Sequence, residues 1–600
     1  MTETQAVPHR SAMAAECTWD LTPVYASDAA WEAAIGDLEE MMPRAAALQG
    51  RVVESADALQ QTLELRDEIQ QHLWQIYVYA NRRLDADTGD SSGQALGDRA
   101  GSLVAKIGAA LAFVDPEILG APETTLRAWV AATPGLAVYG YALDQLIAQR
   151  AHVRSAEIEA ILAQFGDVTR APSDTYDTLT NADLTFPEID DEDGNKIAMS
   201  HGRFYRFLRS GDRRARRDSF FAYYSSYNSH RNTLGVTLAA EVRNHALNAR
   251  LRSYGSALEA ALAPNDIPTE VYHNLIDGIN AGQEVSYRYT ALRKKIMGLD
   301  ELHVYDLYAP LTDEADMQVT YDKAQEMMLA AFAPLGSEYC EVVARSFRSR
   351  WIDVYENQGK RSGAYSDGSY TTAPFILLNY QDKMDDAFTL AHELGHSMHS
   401  FFTRKSQPFV YGNYTIFVAE VASTLNEALL ADYLLKTTED KAVRRQILVR
   451  QIDAIRLTMY RQTMFAEFER DIHARAEADE PITADGLSQM YRALLARYHG
   501  PDVVLDDCMA IEWSRIPHFY YNFYVYQYAT GLAASLALFE QITSEGQPAI
   551  DRYLKFLSGG SSKSSIELLR DAGVDMLTPR PVERALARFA KLLDELEALG

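Results

Sequence analysis

From Ser55 to Leu84 the chain reads SADALQQTLELRDEIQQHLWQIYVYANRRL, with Leu59, Leu63, Leu65, Ile69, Leu73, Ile76 and Tyr77 at helical spacing. A run this long at one period forms an amphipathic helix that needs other elements to cover its apolar side. Further helical runs follow through Arg170, so the chain is expected to be mainly α. Two stretches break the pattern. At 181–202, NADLTFPEIDDEDGNKIAMSHG suggests short strands around the turn dipeptide Asp193-Gly194. At 359–381, GKRSGAYSDGSYTTAPFILLNYQ suggests two strands joined near Asp367-Gly368, the second containing the buried-type run Phe375 to Leu378.

Six hundred residues exceed what one simple core usually holds, so two or three subdomains are expected. The composition divides most naturally into an N-terminal helical region at 1–115, a helical subdomain ending in a short β-hairpin at 116–200, and a region at 201–600 that carries the chemistry-bearing motifs. Acidic residues outnumber basic ones by 84 to 57, and the net charge of −27 repels phosphate backbones and anionic headgroups. Neither nucleic acid nor a membrane is therefore expected as a partner. The basic cluster GRFYRFLRSGDRRARRD at 202–218 spreads its arginines over several helical faces and is expected to be a salt-bridging helix. Cys17, Cys340 and Cys508 are far apart and odd in number, which argues against a disulfide framework and for a reducing compartment. With no signal-peptide core and no apolar run long enough to span a bilayer, the expected location is cytoplasmic.

The stretch TLAHELGHSMHS at 389–400 carries the strongest chemical signal. Asp385 and Asp386 suit an N-terminal cap, and Phe388, Leu390, Ala391, Leu394, Met398 and Phe401 supply an apolar side for the helix that follows. His392 and His396, four residues apart, then differ by about 40° in direction and one turn in height, so both can reach one ion. Glu393 is rotated by about 100° and can take a proton from a water instead of binding the ion. This is the H-E-x-x-H arrangement of zinc peptidases. His399 lies roughly 10 Å along the axis from His392, too far to share the ion, and is expected to pack or to support the site.

A catalytic zinc wants three protein ligands and one open position. The metzincin solution fails, because His399 and Phe402 stand where a glycine and a third histidine are required. In NYTIFVAEVASTLNEALLADYLL, Glu420 can return beside the histidines after a loop containing Pro408 and Gly412. Glu427, on nearly the same face, competes with it and is expected to support a ligand rather than to bind. Downstream, WSRIPHFYYNFYVYQYATG places Pro517 in the first turn of an expected helix and His518, Tyr521, Tyr524 and Tyr528 along one stripe. Such a stripe is either core packing or a set of donors for an oxyanion. The GKRSG segment is not a phosphate loop, since Val354 stands where the pattern needs glycine. A hairpin there can instead pair its strand edge with an extended peptide.

AHELGHSMHS, the glutamate of FVAEVASTLNEALL, GKRSGAYS with PFILLNY, IPHFYYNFYVYQYATG and the opening TWDLTPVYASDAAWEA together resemble oligoendopeptidase F, in the thimet oligopeptidase family of zinc metallopeptidases. The resemblance runs from about Trp19 to near the C-terminus. It implies a mainly α, two-lobed zincin-like fold with a deep central channel and a small β-hairpin or sheet beside the zinc helix. It implies one zinc ion held by His392, His396 and Glu420, with Glu393 as general base and His518 with Tyr528, or Tyr524, as transition-state donors. Gly363 and Ala364 would contact substrate through their backbone, and Tyr521 through its side chain. The tail departs from the thimet branch by one extra residue before its tyrosines and by Gly531 where that branch has a further tyrosine. The implied partners are short unstructured peptides cut internally by a monomer or homodimer. The alternatives are a carboxypeptidase or dipeptidyl carboxypeptidase, in which Lys360, Arg361 or Arg515 would read the substrate carboxylate, and a non-catalytic peptide-binding protein.

Overall fold

A computed structural model describes residues 7–312 and 318–599, and most of them are helical. By contacts the chain divides into two units of interleaved segments. The first comprises Met1–Arg150, Asp316–Lys436 and Leu538–Gly573; the second comprises Ala151–Ala315, Thr437–Ala537 and Val574–Gly600.

The first unit opens with helices α1 (Asp28–Ala46), α2 (Ala56–Ala86) and α3 (Ser91–Leu111), capped by the side chains of Ser27, Ser55 and Asp90. Each cap accepts a first-turn N–H that the helix itself leaves unpaired. The stripe on α2 is buried as its spacing predicts: Leu59, Leu63, Leu65, Ile69, Leu73 and Ile76 are all in the core, while Tyr77 is only partly covered. Leu65, Ile69, Leu73 and Ile76 pack with Trp31, Ile35 and Leu38 of α1 and with Leu103 and Ile107 of α3. Each such side chain contributes about 1.5–3 kcal/mol relative to exposure.

The same core reaches Phe375 and Leu377 of a three-stranded sheet. Its strands are β1 (Ile352–Tyr355), β2 (Tyr365–Asp367) and β3 (Phe375–Tyr380), with β3 central. β2 pairs antiparallel to β3 (Tyr365 with Leu377, Asp367 with Phe375), the hairpin expected from the sequence. Gly368 allows its loop to close, since a Cβ there would lie 2.5 Å from the carbonyl of Ala373. β1 was not anticipated. It pairs parallel to β3, Ile352 with Ile376, and parallel pairing depends on a crossover that no local turn signal reports. After the sheet come α4 (Met384–Ser406), α5 (Ile416–Thr437) and, later in the chain, α6 (Gln547–Leu557).

In the second unit, strands Glu188–Asp190 and Lys196–Ala198 form the expected hairpin, with Gly194 at φ +82° in the turn. The arginine cluster makes salt bridges as predicted: Arg206 to Glu192, Arg217 to Asp218, and Arg213 and Arg216 to Asp306. It is less solvated than its composition suggests, because Arg216 and Asp306 are both buried. All three cysteines are free thiols. Among the described residues no helix is long and apolar enough to cross a membrane.

Candidate active site

The helix carrying the histidines begins two to three residues earlier than its acidic pair suggests. Lys383 is the cap position and Asp385 lies inside the helix, which corrects the expectation for that residue. Asp386 does close the first turn: its Oδ2 accepts the backbone N–H groups of Gln381 (2.8 Å) and Lys383 (3.0 Å).

His392 and His396 emerge from one face of α4 with their Nε2 atoms 3.2 Å apart. From α5, Glu420 Oε2 lies 3.3 Å from the first and 3.6 Å from the second. Tetrahedral ligands at zinc bond lengths of about 2.1 Å are separated by about 3.4 Å. The spacing of the three donors therefore fits such an ion, and this is the one group of the kind among the described residues. Helices α4 and α5 approach closely because residue 395 is glycine; a Cβ there would stand 2.5 Å from Ala422 O and Ser423 Cα. Asn426 ties them further, donating to Ala391 O at 3.2 Å and accepting from the Tyr339 hydroxyl at 2.9 Å.

Glu427 does not join the three donors. Its Oε1 is 2.8 Å from His392 Nδ1, so Nδ1–H donates to it and Nε2 is left facing the histidine and glutamate partners. Ser423 Oγ donates to Glu420 Oε2 at 2.8 Å. Burial opposes a charged His392, but hydrogen bonds and attraction from Glu420 and Glu427 raise it to about 10 in the ion-free chain. His396 is pushed down to about 4 by burial and by the charge on His392. Burial would raise Glu420, yet its histidine neighbours outweigh that and hold it near 2.

Glu393 lies close enough to these groups to feel their charges, is 6% exposed, and its Oε2 has no protein hydrogen-bond partner. Burial pushes its carboxyl up to about 7, against the pull of His392 and a hydrogen bond from the backbone N–H of Ser366 on β2. A proton acceptor poised near neutrality beside an ion-binding set is what general-base chemistry requires. His399 is buried and stacks on Tyr414 at 3.7 Å between centroids, with Phe556 of α6 on another side. Of its two expected roles it has the packing one.

Gly363 takes φ +85° just before β2, and Asn379 of β3 donates to the carbonyls of Gly363 (2.9 Å) and Arg361 (3.0 Å). Ala364 follows, half-buried, and leads into the edge strand of the sheet. A second anchor comes from α2, where Asp85 accepts from the Tyr365 hydroxyl at 2.5 Å and from Arg361. Sequence reasoning missed this partner, since nothing local links residues 280 positions apart.

His392, His396, Glu420, Glu393, Gly363 and Ala364 belong to the first unit, and His518, Tyr521, Tyr524 and Tyr528 to the second. The tail does not form the continuous helix that its spacing predicts. Pro517–Tyr520 is a single 3-10 turn, Asn522 (φ +48°) and Phe523 (φ +60°) are left-handed, and the helix begins at Tyr526. The rings cluster nonetheless. His518 lies 5.4 Å from Tyr521, 6.3 Å from Tyr524 and 6.4 Å from Tyr528, centroid to centroid, and Tyr524 lies 5.5 Å from Tyr528. Burial lowers the pKa of His518, while Tyr521 is exposed.

Comparison with known proteins gives this geometry a class. Residues 206–588 match Peptidase family M3, and residues 117–186 match the family described as Oligopeptidase F. Oligopeptidase PepF of Bacillus subtilis (strain 168) is 47% identical over 593 residues, covering 99% of this chain and 88% of that protein. The crystal structure of oligoendopeptidase-F from Enterococcus faecium is 37% identical, with a TM-score of 0.73 over 95% of this chain and 98% of that one. A Chlamydophila abortus crystal structure assigned as a peptidase is 36% identical, with a TM-score of 0.93 over 99% and 100% of the two chains. The protein is a mainly α metalloendopeptidase. It belongs to peptidase family M3.

Proposed function

We propose that this enzyme is a zinc-dependent oligopeptidase that hydrolyses internal bonds of short, unstructured peptides. The observation that carries the reading is the His392–His396–Glu420 set at tetrahedral spacing with the buried Glu393, one of whose carboxyl oxygens has no protein partner, beside it. The relatives named as oligopeptidases and oligoendopeptidase F support the substrate class. Nitrogen and carboxylate donors suit zinc, which when bound would polarise the scissile carbonyl and acidify a water. Glu393 takes the proton of the attacking water and returns it to the departing amine. His518 and Tyr528, with Tyr524 as the nearest substitute, donate to the developing oxyanion. Gly363 and Ala364 present the edge of β2 to the peptide backbone, so that recognition depends little on side chains. Tyr521, the exposed member of its cluster, contacts substrate. Three free thiols support a reducing, cytoplasmic setting.

Terminal-carboxylate reading is disfavoured by where the cations are spent. Lys360 is fully buried against Asp353 at 2.8 Å. Arg515 is bound to Glu512 at 2.7 Å and to the hydroxyls of Tyr224 and Tyr205. Of the three candidates, Arg361 alone has an exposed side chain.

The test is mass spectrometry of products from a peptide of about ten residues blocked at both ends, with and without a chelator, a length suited to an enclosed site. Internal cuts that disappear on chelation are expected. An intact blocked peptide, with dipeptides released once its C-terminus is freed, would replace the endopeptidase reading with the carboxypeptidase one.

A further inference from the structure

Glu469, on the helix Gln462–Glu477 of the second unit, is fully buried, and its carboxyl meets neither arginine nor lysine. Its Oε1 accepts the backbone N–H of Phe523 at 2.6 Å, and its Oε2 has no protein partner. Burying such a group is unfavourable for folding, so its presence calls for another explanation. Its one hydrogen-bond partner supplies it. Phe523 and Asn522 are consecutive non-glycine residues at positive φ, a conformation that persists only where the surroundings enforce it. The turn they form separates His518 and Tyr521 from Tyr524 and Tyr528. It replaces the helix that the spacing predicts and still brings the four rings together.

Rings and imidazoles pack around Glu469 and the turn it holds. The Phe523 ring packs on His473 at 4.3 Å and edge-on to Tyr272 at 5.6 Å. His473 Nδ1–H donates to the Glu469 carbonyl at 2.8 Å, leaving its Nε2 to accept from His245 Nδ1 at 3.1 Å, and His245 is in turn 3.2 Å from Glu241.

We propose that Glu469 is a positioning residue for the reaction: by holding the Phe523 N–H it fixes the left-handed turn and so sets the direction in which Tyr524 and Tyr528 face His518. This inference rests on the reading that the His518–Tyr528 cluster takes part in turnover.

The test measures kcat and KM for Glu469→Met, Glu469→Asp and Glu469→Gln, alone and in the Tyr528→Phe background. Met keeps the length without a good acceptor, Asp withdraws the carboxyl by one methylene, and Gln retains the acceptor in place. Met and Asp are expected to lower kcat by roughly 10- to 100-fold with little change in KM, as misplacement by about 1 Å does elsewhere. Gln should recover most of that loss. In Tyr528→Phe the Met substitution should cost much less than in the wild type, because both act through one group. A role in folding alone predicts independent effects and a kcat that follows the melting temperature across the variants; either result would overturn the inference. So would unchanged kcat in Met and Asp while Tyr528→Phe is impaired. If Tyr528→Phe and His518→Ala both turn over normally, the donor reading has failed, and the positioning role fails with it.

Discussion

The three clustered donors at 392, 396 and 420 stand on two regular helices, whereas the aromatic set at 518–528 is carried by backbone that leaves regular structure between two tyrosines. In the first region a repeat of four residues on a helix does most of the positioning, and Gly395 sets how closely the second helix approaches. In the second, a buried carboxyl and two left-handed residues do it. Spacing is therefore a sufficient guide to the first region and a misleading one to the second, although the side chains cluster in both.

The sharpest way to break this contrast is at the donors themselves. His396→Ala or Glu420→Ala should abolish stoichiometric zinc and with it all peptide cleavage, measured by metal analysis and product formation. Retained metal in Glu420→Ala with loss in Glu427→Ala would exchange the roles of the two glutamates. Next in size is Glu393→Gln, which should keep its metal and lose on the order of 10³-fold in kcat. The pH profile belongs with it. Glu393 must be ionised to accept a proton; burial puts it near 7 without the ion, and a neighbouring cation favours the carboxylate. Activity should thus fall as pH falls, with the midpoint of the acid limb at or below about 7. A limb rising toward acid pH would exclude Glu393 as base.

Smaller effects sharpen the comparison. Tyr528→Phe should reduce kcat by roughly 10²-fold with KM nearly constant if the cluster donates to the oxyanion; an unchanged kcat would return this tyrosine to packing. Glu427→Ala should weaken zinc affinity by about 10- to 100-fold, since the His392 ring loses the acceptor that orients it. Gly395→Ala tests the helix approach directly, with an expected cost of about 1–3 kcal/mol seen as a lower melting temperature. A variant as stable as wild type would mean that α4 and α5 separate freely.

Much of the first unit was legible because its signals are local. The α2 stripe, the Tyr365–Asp367 strand with its partner, and the supporting place of Glu427 beside a ligand all follow from residue spacing or short loops. The β1 strand was not, since its pairing with β3 is decided by a parallel crossover. Nor was the hold of Asp85 on Arg361 and Tyr365, which reaches across the chain from α2. The Asp385 cap was misplaced by two residues: the helix starts at Met384, and Asp386 is the aspartate that accepts the backbone N–H groups of Gln381 and Lys383.

Local spacing alone reports the helical class, the histidine pair that can reach one ion and the glutamate placed between them, because helix geometry converts residue number directly into direction in space. Tertiary packing brings Glu420 Oε2 to 3.3 and 3.6 Å from the two histidines and buries Glu393, where desolvation pushes its carboxyl up to about 7. It also decided that the aromatic cluster forms across a left-handed turn and not along a helix. These outcomes depend on which distant groups supply a hydrogen bond or exclude water at a given atom, and no periodicity along the chain encodes that.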